Sequence, residues 1–122
     1  MDNRPNAFAG ENLGWRLETI VFIELLRRNR PINRDIYYYM SSTGVEADFV
    51  VCKNNVVEEI YQVSYDINKD KTRKRELRGL LTASKETSCD NLYLITDFHR
   101  EEISIENKTI HIIPAYEWLI NK

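Results

Sequence analysis

Val45-Glu46-Ala47-Asp48-Phe49-Val50-Val51-Cys52-Lys53-Asn54-Asn55-Val56-Val57-Glu58-Glu59-Ile60-Tyr61-Gln62-Val63-Ser64-Tyr65 reads as two strands around a tight reversal. Both arms are rich in β-branched and aromatic residues, which suit a pleated, half-buried surface. Asn54-Asn55 suits the positive φ values that a two-residue hairpin needs. Just upstream, Asp35–Met40 is a third strand with three consecutive tyrosines, joined through the turn Ser41-Ser42-Thr43-Gly44. Such short connections make the neighbours antiparallel.

Downstream, Asp66 to Asp70 is a polar connection, with Asp70 or Thr72 placed to cap a helix that runs to about Thr87. That helix is expected to bury Leu77, Leu80 and Leu81. Asn91–Thr96 is a short apolar run of the kind found in buried central strands. A strand, a helix and a buried strand imply a crossover with parallel pairing. Glu102–Glu106 and Thr109–Ile113 form one more strand pair around Asn107-Lys108, and Pro114 can open a last short helix through Leu119. Upstream of the meander, Glu11 to about Arg28 is helical, ended by Asn29-Arg30-Pro31. The order α-β-β-β-α-β-β-β-α defines an α/β fold, a mixed central sheet flanked by helices. Residues 1–10 are expected to be a flexible lead-in and residues 11–122 a single domain.

The composition bounds the class. A chain of 122 residues is enough for one core, and 43% apolar with 30% charged residues is that of an ordinary globular protein. No apolar run approaches the ~18 residues of a membrane span, and the polar start Met1-Asp2-Asn3-Arg4-Pro5 is no signal peptide. Cys52 and Cys89 make no zinc spacing with His99 or His111, and read as reduced thiols of a cytoplasmic protein. A net charge of −2 argues against a globally basic nucleic-acid binder but allows a local basic patch.

Strand alternation puts Glu46, Asp48 and Val50 on one face and Ala47, Phe49 and Val51 on the other. On the next strand it groups Glu58, Ile60, Gln62 and Ser64. Asp48 can then share a cleft with Gln62 and Ser64. The chemistry such a set suggests is metal-assisted phosphodiester hydrolysis. Mg2+ or Mn2+ prefers oxygen ligands, usually one or two carboxylates with water and phosphate, and generates the attacking hydroxide. Asp48 suits the first ligand; Gln62 offers an uncharged carbonyl oxygen. A nearby lysine would neutralise developing charge, and Ser64 cannot. Losing one such electrostatic stabiliser costs about 2.7–4 kcal/mol of barrier. Taken alone, the same residues also fit solvated positions on a half-buried strand.

On the first helix, Leu13, Leu17, Ile20, Val21 and Leu25 form one apolar stripe and Trp15, Phe22 and Leu26 a second. Glu24 falls inside the first stripe and is expected to pair with Arg27 or Arg28. Glu18 lies on its flank, where it can point into a cleft beside the sheet. Lys69-Asp70-Lys71-Thr72-Arg73-Lys74-Arg75-Glu76-Leu77-Arg78 carries a dense run of cations at a helix start. It reads either as a phosphate-tracking patch through Lys71, Arg73, Lys74, Arg75 and Arg78 or as a solvated face.

Four segments taken together resemble a known family: Asn12 to Leu25, Glu46-Ala47-Asp48-Phe49-Val50-Val51, Gln62-Val63-Ser64-Tyr65 and Lys74-Arg75-Glu76-Leu77. They resemble the C-terminal domain, of unknown function, of prokaryotic AAA-type ATPases, a domain similar to the PD-(D/E)XK nuclease and Holliday-junction-resolvase fold. The resemblance implies an α-β-β-β-α-β core of the restriction-endonuclease-like type with a C-terminal β-β-α extension. It matches Glu18 to the first-helix acid and Asp48 to the metal-binding aspartate. Gln62 takes the D/E position and Ser64 the lysine position. Glu18, Asp48 and Gln62 are thus the implied metal set, and Ser64 joins them as the fourth catalytic position. Nothing resembles a Gly-rich phosphate loop, so any ATPase module lies in a longer parent chain. The implied function is an accessory domain that binds DNA or a partner, with a degenerate metal site. An active Mg2+-dependent endonuclease, with lysine replaced by a basic residue from elsewhere, stays open. So does a protein-interaction module docking through Trp15, Phe22 and Leu26.

Overall fold

The computed structural model describes the backbone of residues 5–121 and the side chains of residues 13–121. The elements are α1 (Pro5–Asn29), a 3-10 turn (Arg30–Ile32), β1 (Asp35–Met40), β2 (Glu46–Lys53), β3 (Val56–Val63), α2 (Asp70–Thr87), β4 (Leu92–Thr96), β5 (Glu101–Ile105), β6 (Lys108–Pro114) and α3 (Ala115–Ile120). The strands form one six-stranded sheet in the order β1-β2-β3-β4-β6-β5. The β1–β2–β3 meander is antiparallel, β4 lies parallel to β3 and to β6, and β5 returns antiparallel on β6. The expected mixed sheet flanked by helices is therefore present.

The sheet separates two apolar cores. On one face α2 packs Leu77, Leu80 and Ala83 against Ala47, Val50, Ile60, Leu92, Leu94, Ile110 and Ile112. On the other, α1 brings Leu17, Val21 and Leu25 against Phe49, Val51, Tyr61, Val63, Ile95 and Trp118 of α3. Arg28 ties α1 to α3, its guanidinium 4.2 Å over the Trp118 ring and bonded to the Asn121 carbonyl at 2.9 Å. Glu24 makes the expected pairs, with Arg27 at 2.6 Å and Arg28 at 2.7 Å, which hold its carboxyl down at about 2.

Several boundaries differ from the sequence reading. The first four residues of the expected lead-in lie outside the described residues, but from Pro5 the chain is already helical. Proline is well suited to the first helical position, with its φ preset and no donor to lose. In the apolar stripe, Leu13 and Ile20 are exposed, because only Leu17, Val21 and Leu25 face the sheet. α2 starts after Lys69 with no side-chain cap, and Asp70 is its first residue. The β5–β6 reversal is Glu106-Asn107, with φ of 52° and 65°, one residue earlier than expected. Asn54 and Asn55 take the left-handed conformation that their hairpin requires.

Strand alternation breaks at one point that matters. Tyr37 pairs with Val50 and Tyr39 with Ala47, so β2 carries an extra residue against β1 at Asp48-Phe49. This bulge swings Ala47 to the α2 face beside Val50 and Cys52, whereas uninterrupted alternation groups it with Phe49 and Val51. A bulge re-aims side chains and bends the strand. Asp48 sits in it. Cys52 and Cys89 are buried free thiols, and burial pushes both upward, away from thiolate reactivity. Among the described residues, no helix is long and apolar enough to cross a membrane.

Candidate functional site

The β2–β3 ladder pairs Phe49 with Tyr61 and goes no further toward the start of β2. Beyond that pair the strands part, and their backbone groups need other partners. Ile60 and Ser64 donate to the Asn91 and Ile95 carbonyls on the β4 side, so the N–H of Val63 points toward β2. There it donates to Asp48 Oδ2 at 2.7 Å. In return the Asp48 N–H donates to Gln62 Oε1 at 2.8 Å. Two side chains thus replace the missing rungs.

Gln62 also binds the helix above. Its Nε2 donates to the Glu46 carbonyl at 3.1 Å and to the Glu76 carbonyl of α2 at 3.4 Å. An N–H on one side and two carbonyls on the other fix the orientation of this amide. Only 4% of Gln62 is exposed. Gly79 makes the approach possible: a Cβ there would lie 2.2 Å from Gln62 Nε2 and 2.5 Å from the Glu46 carbonyl. Gln62 is therefore a clamp joining β2, β3 and α2.

Between the splayed strands and α2 lies a cleft of about 430 Å³, lined by Glu46, Asp48 and Gln62 on the sheet side and by Lys74, Arg75, Glu76 and Arg78 on α2. Burial, opposed by the Val63 N–H and reinforced by Glu18, Glu76 and Glu46, raises the Asp48 carboxyl from 3.8 to about 7. Glu76 is raised chiefly by burial, against the pull of Arg75 at 3.2 Å. The Tyr38 hydroxyl donates to Glu46 and is pushed up to about 12. Acids from the sheet and both flanking layers thus share one negative region beneath a rim of cations.

The sequence-derived candidates separate in space. Asp48 and Gln62 meet, and Glu18 adds its field to theirs. Ser64 lies just past β3, its hydroxyl 3.4 Å from the Asp66 carbonyl, and does not line the cleft. Lys74, Arg75 and Arg78 line it; Lys71 is exposed outside it, and Arg73 is engaged with Glu101 of β5 at 2.7 Å. Glu46, Glu76 and Gly79 line or shape the site but are not among the sequence-derived candidates. A glycine inside a helix costs ~1 kcal/mol relative to alanine, so Gly79 was the available signal of a close approach.

Asp48 spends one oxygen on Val63, and Gln62 spends its amide oxygen on Asp48. Among the described residues, no three His, Cys, Asp or Glu side chains converge to hold a metal ion. Among the described residues, the pair thus keeps one oxygen without a hydrogen bond, Asp48 Oδ1, toward a hard dication that takes one or two carboxylates with water and phosphate.

An aspartate whose folded value stands above its unfolded value binds more protons when folded. Its contribution to stability therefore falls as pH rises from about 4 to about 7. Asp48→Asn keeps an acceptor for Val63 and removes that charge. The variant is expected to be more stable than wild type at pH 7 by about 2–4 kcal/mol, with little difference near pH 4. Urea unfolding at the two pH values measures this, and equal midpoints at pH 7 would show that Asp48 carries no such penalty.

Residues 13–118 match the family described as "Domain of unknown function (DUF4143)". The chain is 33% identical over 114 residues to the uncharacterized protein MJ1544 of Methanocaldococcus jannaschii, an alignment that covers 88% of this chain and 25% of that protein. It thus spans about a quarter of the length of this curated relative. No solved structure matches it. With the family match taking in α2 and every strand of the sheet, the chain belongs to the DUF4143 family of domains of unknown function.

Proposed function

We propose that this domain binds DNA as an accessory module of a longer AAA-type ATPase chain, and that its nuclease-like cleft no longer cleaves. The observation that carries this reading is the pairing of a cationic rim, Lys74, Arg75 and Arg78, with a floor whose Gln62 amide is committed to backbone. Phosphates neutralised by lysine and arginine release counterions, so binding is set by the rim. Cleavage needs a metal set and a nearby positive charge, and Gln62 and Ser64 supply neither. Asp48, kept at a cost to stability, is what a former or altered active site leaves behind. The 25% coverage of the archaeal relative is in keeping with a longer parent; the ATPase module in it rests on the resemblance alone.

Binding of labelled duplex DNA across a salt series tests this. Neutralising Lys74, Arg75 and Arg78 to glutamine is expected to reduce the slope of log K against log salt by about three, near one per phosphate contact. Asp48→Asn is expected to bind as wild type does or slightly better. Absence of binding at low salt in the wild type would overturn the proposal and favour a protein-docking role through the exposed side of α1, where Trp15 is 69% and Ile23 59% exposed.

A further inference from the structure

A second groove lies on the opposite flank of α2. It has a volume of about 380 Å³ and is lined by Lys74, Arg78, Leu81, Lys85, Ile105 and Glu106, between the helix and the β5–β6 reversal. Lys74 and Arg78 line both this groove and the cleft that holds Asp48. They therefore stand on the crest of a ridge with a depression on either side.

The helical wheel makes the crest continuous. At 100° per residue, Lys71, Lys74, Arg75, Arg78 and Lys85 fall within about 100° of one another. All five are exposed. Glu76, the buried Leu77 and Leu80, and Gly79 fall outside that arc. Lys74 reaches Asp70 at 3.1 Å, but that pair is 76% and 80% exposed and worth little. Among the described residues, no acid bridges Arg78 or Lys85. From Lys71 to Lys85 the crest is about 21 Å long, at 1.5 Å per residue.

These dimensions select among nucleic acids. A helix with its side chains is about 10–12 Å across. The major groove of B-form DNA is about 12 Å wide and admits a helix. The major groove of A-form RNA is deep and too narrow to be read. Resting on the DNA-binding proposal above, we infer that α2 is a ridge that enters the major groove of duplex DNA. One phosphate backbone then lies along the Asp48 cleft rim and the other along the Lys85 groove. Lys74, Arg75 and Arg78 hold the first backbone from the crest, and Lys85 serves only the second. The partner is duplex DNA, not single strands or duplex RNA.

Competition among a DNA duplex, its separated strands and the matching RNA duplex tests this, together with protection of guanine N7 from methylation. The inference expects at least tenfold preference for the DNA duplex and protection of N7 in the bound segment. Lys85→Gln, at an exposed position, is expected to lower the salt slope by about one on duplex DNA and leave it unchanged on single strands. Equal affinity for all three nucleic acids with N7 unprotected would overturn the ridge while leaving DNA binding intact. A Lys85→Gln slope equal to wild type on duplex DNA would remove the second track. No binding to any of the three would overturn both.

Discussion

Gln62→Glu is expected to destabilise the domain at neutral pH by about 3–5 kcal/mol, the range for a buried charge left uncompensated. The substitution restores the acid that the resemblance to the nuclease fold implies at this position, so its failure would be informative. One carboxylate oxygen still accepts from the Asp48 N–H. The other replaces an amide nitrogen that lies 3.1 Å from the Glu46 carbonyl and 3.4 Å from the Glu76 carbonyl. Two donated bonds become contacts between acceptors, next to the Asp48 carboxyl. The pH dependence has a definite sign. Burial among acceptors raises the folded value of the new acid above the unfolded value of about 4.3, so the loss is small below pH 4 and grows as pH rises. Urea midpoints of the two proteins across pH 4–8 measure it. Matching midpoints at pH 7.5 would mean that Gln62 is no clamp and that the site accepts an acid freely.

Gly79→Ala is expected to cost about 1–2 kcal/mol, although alanine is the better helix former. The propensity gain is about 1 kcal/mol. Against it stands a methyl group 2.2 Å from Gln62 Nε2 and 2.5 Å from the Glu46 carbonyl. One of those atoms is backbone and the other is held by two carbonyls, so α2 must lift off the sheet. Overpacking of this kind costs about 1–3 kcal/mol and sometimes more. The steric term wins. Gln62→Ala removes one of the colliding atoms, so the double variant should be less destabilised than the sum of the singles, by about 1 kcal/mol or more. Strict additivity would show that Gly79 and Gln62 do not meet.

Much of the fold could be read from local chemistry. The Asn54-Asn55 reversal, the crossover into Leu92–Thr96 and the Glu24 pairing all follow from short-range rules, and all are present. The candidate cleft was legible in part, because Asp48 and Gln62 are polar residues on neighbouring strands. What was hidden depends on register. An extra residue in β2 against β1 turns Ala47 to the α2 face and leaves Asp48 aimed at the gap between strands, and alternation counted along the sequence cannot reveal it. The early end of the β2–β3 ladder is hidden for the same reason, and with it the conversion of Gln62 from an apparent ligand to a link between three elements. Glu76 was obscured by the cations around it, since a charge run gives no sign of which members turn inward. Arg73 shows the converse, a cation of the basic run that is tied to Glu101.

The most direct test is to incubate wild-type domain with end-labelled duplex DNA at low salt with Mg2+ or Mn2+, then resolve the mixture on native and denaturing gels. DNA that is retarded on the native gel and full-length after denaturation is the expected result. Shortened strands that disappear with Asp48→Ala would contradict it, because the cleft would then be a working nuclease centre despite the committed Gln62 amide.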